Sequence, residues 1–188
     1  MKAIETKLPG CYILEPNVIG DNRGYFFESY NQAAFKLATG LDVTFVQDNQ
    51  SFSSKGVLRG LHAQYGEHAQ AKLVRVLQGE VWDIAVDARP QSATFGQHIA
   101  VLLSGENKRQ LFVPRGFLHG FVVVSEHAEF FYKCDNLYDK QSEWGVTYND
   151  LQLGIDWKLP ADELIISEKD QVLPSFEEAT TLLDRRNG

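Results

Sequence analysis

The chain has 188 residues and a formal net charge of −7, with 44% hydrophobic and 23% charged residues. This composition is typical of globular proteins, and the charge disfavours a nonspecific nucleic-acid surface. No stretch approaches the roughly 18 consecutive apolar residues of a membrane span, and the N-terminus, MKAIETKLPG, lacks the apolar run of a secretory signal.

Only two cysteines are present, Cys11 and Cys134. Disulfides therefore do not organise the fold, and a reducing cytoplasm is the simplest compartment. Short strand signals dominate the chain from Cys11 onward, each rich in β-branched or aromatic residues and each ending at a turn signal. The predicted strands cover residues 11–15, 25–30, 41–49, 73–77, 81–86, 95–103, 110–113, 120–124 and 128–133. The pair on either side of Gln78 and Gly79 is predicted to form a compact hairpin.

Helix signals are confined to the two ends of the chain. Residues 32–38 are predicted to form a helix with Asn31 as its N-cap and Gly40 at its end, and a second helix is expected near residues 175–184. The middle of the chain leaves no room for the crossover helices of a parallel sheet. We therefore expect an all-β sandwich or barrel with short flanking helices.

We expect one domain over residues 1–188, with its core at about 10–170 and a looser tail at 171–188. Within that core, the stretch from residue 57 to residue 80 carries Arg59, His62 and Lys72 on segments that otherwise favour β-structure. Lys72 alternates with two valines further along its strand, which predicts that it points inward. Because burying an unpaired charge is expensive, these groups either have partners in the core or face a ligand.

Two segments resemble the paired signatures of the cupin jelly-roll fold. Residues 113–119, VPRGFLH, contain Pro-x-Gly-x-x-His, and His119 falls on a metal-ligand position. The first cupin signature has His-x-His and then Glu; here His62 is kept, but Gln64 and Lys72 stand at the other two positions. Glutamine is a poor ligand for a transition metal and an ammonium group cannot bind one. We therefore expect a cupin jelly roll without a metal at this site.

The exchange of a metal for a lysine indicates a class of reaction. A desolvated ammonium group can stabilise the negative charge of an enolate, as an oxyanion hole does, and His62 beside it is a candidate general base. Inversion of a carbon also needs an acid on the opposite face. Alternation puts Tyr132 on the same inward face as Phe130. A base, an acid and a fixed cation are together sufficient to remove and return a proton next to a ketone without a cofactor.

Six short motifs follow one another along the chain: DNRGYFFE at 21–28, QDN at 47–49, RGLH at 59–62, PRGFLHGF at 114–121, FYK at 131–133 and SEKD at 167–170. In this order, from about residue 5 to about residue 170, the chain resembles the dTDP-4-dehydrorhamnose 3,5-epimerase family. The resemblance implies cofactor-free epimerisation of dTDP-4-keto-6-deoxy-D-glucose at C3 and C5. The product would be dTDP-4-keto-L-rhamnose, in dTDP-L-rhamnose synthesis.

The same resemblance implies a role for each matching residue. The base corresponds to His62, oriented by Asp170, the acid to Tyr132 and the enolate-stabilising cation to Lys72. Tyr138 is a weaker rival for the acid, or a flexible neighbour over the sugar. The positions expected to bind the nucleotide sugar are Arg23, Glu28, Gln47, Asp48, Asn49, Arg59, His119, Glu143 and Lys169.

The resemblance also implies a homodimer. The family's N-terminal segment can contribute to the partner's sheet and site, so Arg23 and Glu28 can act across the subunit interface. Asp83 lies in an apolar predicted strand and is expected to support Lys72 or His119.

Plain structural explanations and other functions remain open at this point. The structural ones are a core histidine for His62, a packed aromatic for Tyr132, a solvated strand end for Lys72 and a surface salt bridge for Arg59. The nearest functional rivals are a single-carbon epimerase of a related dTDP-4-keto-deoxysugar and an isomerase that moves the keto group. A non-catalytic sugar-nucleotide-binding cupin would need neither the base nor the acid. A metal-dependent cupin oxygenase is disfavoured by Gln64 and Lys72.

Overall fold

A computed structural model describes residues 1–187. The strands are β1 Lys2–Glu5, β2 Tyr12–Glu15, β3 Ile19–Asp21, β4 Gly24–Phe26, β5 Gln47–Ser54, β6 Val57–Gln64, β7 Lys72–Gln78, β8 Glu80–Asp87, β9 His98–Ser104, β10 Gln110–Val113, β11 Phe117–Val123, β12 His127–Cys134, β13 Glu143–Gly145 and β14 Ile165–Ile166. The helices are α1 Gln32–Thr39, α2 Glu168–Gln171 and α3 Phe176–Asn187, and single 3-10 turns lie at Gly66–His68 and Ala161–Glu163. None of the helices in this range is long and apolar enough to cross a membrane.

The strands form two main sheets. The first sheet has the order β1-β2-β10-β7-β12-β5, and the second has the order β13-β6-β11-β8-β9, with β14 added parallel to β6. β3 and β4 form a separate antiparallel hairpin. The predicted all-β sandwich with short flanking helices is confirmed.

Apolar side chains pack between the two sheets and on both outer faces. The central cluster includes Val74 from the first sheet and Phe121 from the second. Phe121 stacks on Phe130, with their ring centroids 4.1 Å apart. α1 covers the outer face of the first sheet through Phe35, and Phe176 of α3 belongs to the cluster on the outer face of the second sheet. Removal of this apolar surface from water is the main stabilising contribution.

Both predicted helices are present. At the start of α1 the Asn31 side chain accepts a hydrogen bond from the backbone N–H of Ala34 at 3.0 Å, and Gly40 ends the helix with a φ of 76°. This left-handed conformation suits glycine because it has no Cβ. The second helix, α3, occupies the region predicted near residues 175–184.

The predicted hairpin across Gln78 and Gly79 is wrong. β7 pairs with β10 and β12 in the first sheet, whereas β8 pairs with β11 and β9 in the second. The chain therefore turns a corner from one sheet to the other at Gly79, where φ is +80° and an added Cβ would lie 2.0 Å from the carbonyl oxygen of His127. Two consecutive apolar strands cannot show by their sequence whether they pair or pack face to face.

Two predicted strands are shorter or later than expected. The aromatic segment 25–30 is extended only up to Phe26, the end of β4, and the segment 41–49 joins the sheet only from Gln47. Leu41, Val43 and Phe45 instead pack against the cluster under α1, so their apolar character reflects burial rather than strand pairing. The other predicted strands are present, β10 with the predicted ends and the rest with shifted ends, whereas β1, β3, β13 and β14 were not predicted.

A buried carboxylate stabilises the turn that follows β8. Asp87 is fully buried and accepts hydrogen bonds from the Arg89 guanidinium at 2.8 and 2.7 Å and from the hydroxyls of Ser92 and Thr94 at 2.6 Å each. Burial by itself would raise the pKa of Asp87, but these hydrogen bonds outweigh it and lower the pKa from 3.8 to about 2.

We expect Asp87→Asn to lower the free energy of unfolding by about 2 kcal/mol at pH 7. Because the folded pKa lies below the unfolded one, the contribution is present above about pH 4 and is lost as the pH falls towards 2. Urea unfolding of both proteins at pH 7 and pH 3 measures this difference. The matched control is Asp42→Asn, which removes an exposed pair with Lys36 and should change little. An equal loss at both pH values would contradict the assignment.

Candidate functional site

A cavity of about 580 Å³ is lined by residues of both sheets and by α2. Its lining residues are Asn49, Gln50, Ser51, Val57, Leu58, Arg59, His62, Lys72, His119, Phe121, Phe130, Tyr132, Ile165, Ile166, Ser167, Lys169 and Asp170. Eight of the residues predicted to form the site are therefore together in one cavity.

His62 and Asp170 form a short hydrogen bond inside this cavity. The distance from His62 Nε2 to Asp170 Oδ1 is 2.6 Å, and the exposed fractions of the side chains are 28% and 5%. Burial would raise the pKa of Asp170, but hydrogen bonds from His62, Ser167 and the backbone of Gly60 outweigh it and lower the pKa. An ionised Asp170 accepts a hydrogen bond from Nε2–H of His62, and this tautomer leaves Nδ1 as the basic nitrogen of the ring.

The second sheet has an irregular register where it supplies Arg59 and His62. Regular alternation would place these residues on opposite faces of β6, since they are three positions apart. Across β11, however, His119 is opposite His62 and Phe121 is opposite Arg59, with a register shift between the two pairs. This bulge inserts one extra residue into β6, so both side chains reach the same cavity.

Two glycines allow the bulge to form. Gly60 has a φ of +127°, and an added Cβ would lie 2.6 Å from the Cα of Gly120. A Cβ on Gly120 would lie 2.8 Å from the carbonyl oxygen of Arg59. Only residues without a Cβ fit this close backbone approach.

Lys72 and Tyr132 enter the cavity from the first sheet. The Lys72 Nζ lies 5.8 Å from the centroid of the Tyr132 ring, and within residues 1–187 neither the ammonium nor the phenol has a hydrogen-bond or ion-pair partner. Burial lowers the pKa of Lys72, against the attraction of Cys134 and Asp83, and burial raises the pKa of Tyr132. The ammonium and the phenol are thus available to a ligand.

His119 is held by a fully buried aspartate. Its Nε2 lies 3.0 Å from each carboxylate oxygen of Asp83. Burial raises the pKa of Asp83, opposed by His119 and then by Lys72. Asp83 was expected to support Lys72 or His119. It contacts His119 directly, and it acts on Lys72 only through its charge.

Cationic groups line the side of the cavity near α2. Arg59 Nε and one terminal nitrogen donate to Ser53 Oγ at 3.2 Å each, and no carboxylate among residues 1–187 pairs with this guanidinium. Lys169 Nζ donates to Glu143 Oε2 at 2.7 Å, and the Tyr138 hydroxyl donates to the same oxygen at 3.0 Å. An unpaired arginine fork suits a phosphate group.

The alternation of β5 separates residues that the sequence analysis had grouped. Asn49 and Ser51 line the cavity, and Gln47 donates to the Asn49 side chain at 3.1 Å. Asp48 points the other way and accepts from Lys133 at 2.8 Å. Gln50 and Ser51 also line the cavity and were not predicted; for Ser51, the spacing of two from Asn49 is the sequence signal that points to it.

Arg23 and Glu28 lie apart from this cavity. Arg23 pairs with Asp21 at 2.6 Å on the β3–β4 hairpin, and Glu28 accepts from Asn31 at 3.2 Å. Gln64 also does not line the cavity; its side chain bonds the backbone of two loops. Within the described part of the chain, no three His, Cys, Asp or Glu side chains are grouped in a way that could hold a metal ion.

Comparisons with known proteins give one family. The model of the dTDP-4-dehydrorhamnose 3,5-epimerase family matches residues 5–178. The chain is 55% identical over 180 residues to dTDP-4-dehydrorhamnose 3,5-epimerase from Salmonella typhimurium. The alignment covers 95% of this chain and 97% of that protein.

Solved structures agree with this assignment. The crystal structure of dTDP-4-dehydrorhamnose 3,5-epimerase from Elizabethkingia anophelis has 58% sequence identity and a TM-score of 0.93, and covers 96% of this chain and 98% of that one. The crystal structure of dTDP-6-deoxy-D-glucose-3,5-epimerase from Legionella pneumophila, in complex with dTDP-4-keto-L-rhamnose, has 48% identity and a TM-score of 0.90. It covers 94% of this chain and 93% of that one.

We expect Gly60→Ala to destabilise the fold by about 3 kcal/mol or more, because the new Cβ would overlap the backbone of Gly120. Gly40→Ala is the matched control: it also has a positive φ, but an added Cβ meets nothing within 4 Å, so only backbone strain of about 1 kcal/mol applies. Denaturant unfolding measures both variants. Equal losses would show that the Gly60–Gly120 contact has no cost beyond the backbone angle.

Proposed function

The chain belongs to the dTDP-4-dehydrorhamnose 3,5-epimerase family, and we propose that its cavity inverts C3 and C5 of dTDP-4-keto-6-deoxy-D-glucose to give dTDP-4-keto-L-rhamnose. The protein is thus an isomerase, as its motifs predicted. The observation that carries the proposal is one cavity that holds an oriented histidine, an unpaired lysine and an unpaired tyrosine. The ligand of the Legionella relative supports the assignment of substrate class.

His62 is the proposed base and Lys72 the proposed enolate-stabilising cation. The C4 ketone acidifies the protons on C3 and C5, and Nδ1 of His62 accepts one of them while Asp170 stabilises the imidazolium through Nε2. The electron pair of the broken C–H bond moves onto the C4 oxygen. An ammonium group in a desolvated site stabilises that oxygen far better than it would in water.

Tyr132 is the proposed acid. Inversion requires that the proton return to the face opposite the one it left, so the base and the acid must stand on opposite sides of the sugar ring. His62 belongs to β6 of the second sheet and Tyr132 to β12 of the first, and a ring bound between the sheets would have one group on each side. Burial keeps the phenol protonated by raising its pKa.

The nucleotide half is proposed to bind through the cationic side of the cavity. Within residues 1–187 the Arg59 guanidinium forms no ion pair with a carboxylate. Lys169 of α2 lines the same cavity. Bidentate contacts from Arg59 to a diphosphate oxygen pair would satisfy the guanidinium. His119 and Asn49 complete the polar lining from opposite sheets.

A homodimer in the cytoplasm is proposed as the working form. The β3–β4 hairpin exposes Tyr25 and Phe26, by 62% and 70%, beside Arg23. Exposed aromatic groups of this kind suit a protein interface, and a partner that packs there would bring Arg23 and Glu28 near a site. Both cysteines are free, as expected for a reducing compartment.

We expect the wild-type protein in D₂O to incorporate deuterium at both C3 and C5 of dTDP-4-keto-6-deoxyglucose. NMR of the sugar measures the label at each carbon. His62→Ala should lower the exchange rate by roughly 10³-fold or more, because the general base is lost. Tyr132→Phe should lower epimerisation by roughly 10²-fold, while exchange that returns the proton to its original face persists.

The controls for this experiment are His98→Ala and Tyr148→Phe, which lie outside the cavity lining. Both should keep full activity. Label at one carbon alone would make the protein a single-carbon epimerase with the same groups. Absence of label in a protein that binds the substrate would overturn the catalytic proposal and favour a sugar-nucleotide-binding protein.

We expect kcat/KM to fall at alkaline pH as Lys72 loses its proton, at a pH below its ordinary 10.5 because burial lowers the pKa. The raised pKa of Tyr132 means that the phenol stays protonated while this loss occurs. Lys72→Arg should move the fall to higher pH, since a guanidinium does not titrate there. Lys55→Arg, a surface control, should leave the profile unchanged. An unaltered fall in Lys72→Arg would assign it to another group.

A further inference from the structure

A buried amide on β6 of the second sheet bonds the loop that joins β12 to β13. Gln64 is 6% exposed, and its Nε2 donates to the carbonyl oxygens of His68 at 2.7 Å and Leu137 at 3.2 Å. Its Oε1 accepts from the backbone N–H of Asp139 at 2.8 Å. Both amide protons and the amide oxygen are therefore used by backbone groups of two separate loops.

The loop of residues 135–142, here called the rim loop, joins β12 to β13 and carries Tyr138. The Tyr138 hydroxyl and Lys169 both donate to Glu143 Oε2, at 3.0 and 2.7 Å, and Lys169 lines the cavity. The Tyr138 backbone N–H donates to Gln47 Oε1 at 3.0 Å. The middle of the rim loop is thus linked to the cavity through Tyr138, Glu143 and Lys169, and of these three Lys169 is the one that lines the cavity.

Apart from the bonds of Tyr138 to Gln47 and Glu143, further contacts of the rim loop lie towards its ends. Gln70 donates to the carbonyl oxygen of Asn136 at 2.8 Å, and Ser142 contacts Asp139 within the loop at 2.8 and 3.1 Å. At its centre, Leu137 and Tyr138 are 62% and 55% exposed, so packing does little to fix them. Gln64 bonds the residues immediately before and after Tyr138.

We propose that Gln64, which stands where the cupin signature has a metal ligand, is a positioning residue that fixes Tyr138 at the cavity mouth and thereby sets substrate affinity. This inference rests on the proposed function. Gln64 acts through the rim loop and does not touch the substrate. His62 is held by Asp170, and Lys72 and Tyr132 project from paired strands. Loss of Gln64 should therefore weaken binding and leave the chemical step largely intact.

Gln64→Leu removes all three hydrogen bonds at similar side-chain volume. We expect it to raise the Kd for dTDP, measured by calorimetry, and the KM for the keto-sugar by about tenfold each, with kcat within about twofold of wild type. Amide hydrogen exchange at residues 137–139 should become faster than in wild type, because the anchored N–H and carbonyl groups are released.

Gln64→Glu provides a second variant in case the first does not fold. An ionised carboxylate can accept from the Asp139 N–H but is repelled by the two carbonyl oxygens, whereas a protonated carboxyl can donate to one of them. The ratio of its dTDP Kd to that of wild type should therefore shrink as the pH is lowered from 8 to 5.5. Loss of general stability alone would not produce this recovery.

The matched control is Asn107→Ala, because the Asn107 amide also bonds three backbone groups, at 3.1, 3.0 and 2.9 Å, in the turn between β9 and β10. It should lower the melting temperature without changing KM or the Kd for dTDP. Unchanged affinity in both Gln64 variants, or a fall in kcat at constant KM, would overturn the proposal. Failure of wild type to epimerise while it binds dTDP would instead count against the proposed function, with the Kd values still testing Gln64.

Discussion

The close backbone contact between Gly60 and Gly120 is the constraint on which the site depends. A two-residue side-chain period cannot bring Arg59 and His62 to one face of β6, and the extra residue at the bulge removes that obstacle. The bulge requires β6 and β11 to approach more closely than any Cβ would allow. The backbone of Gly60 also helps to lower the pKa of Asp170, so one irregularity positions an arginine and a histidine and favours the ionised form of that histidine's partner.

The remaining active groups come from the opposite wall of the sandwich. β7 and β12 supply Lys72 and Tyr132 from the first sheet, while β6 supplies His62 from the second. A sandwich whose inner faces are both apolar would gain more stability from burial. Here the apolar filling stops at Phe121 and Phe130, and polar groups take over, among them Lys72 and Tyr132, which have no hydrogen-bond partner within residues 1–187. Desolvation of those groups costs stability, and it strengthens their interaction with a charged ligand.

Side-chain amides take the place of apolar packing around the cavity mouth. Gln47, Gln64 and Gln70 each bond the backbone of the rim loop or its flanks. An exposed loop buries too little apolar surface to be fixed by packing, but hydrogen bonds to side-chain amides can hold it. The position that serves a metal in the cupin signature is thus part of a scaffold for the loop that carries Tyr138.

The sequence by itself determined the fold class, because short strand signals without crossover helices allow little other than a β-sandwich. It also determined the chemical types at the site, since the motifs around Arg59, His62 and Tyr132 carry the family resemblance. Tertiary structure alone decided that the strands on either side of Gly79 belong to different sheets, because apolar strands that pair and those that pack look alike in sequence. It alone decided that Asp48 faces away from the cavity and that Gln64 bonds a loop. It also brought His62 within 2.6 Å of Asp170, a contact across 108 positions that no local spacing rule can reach.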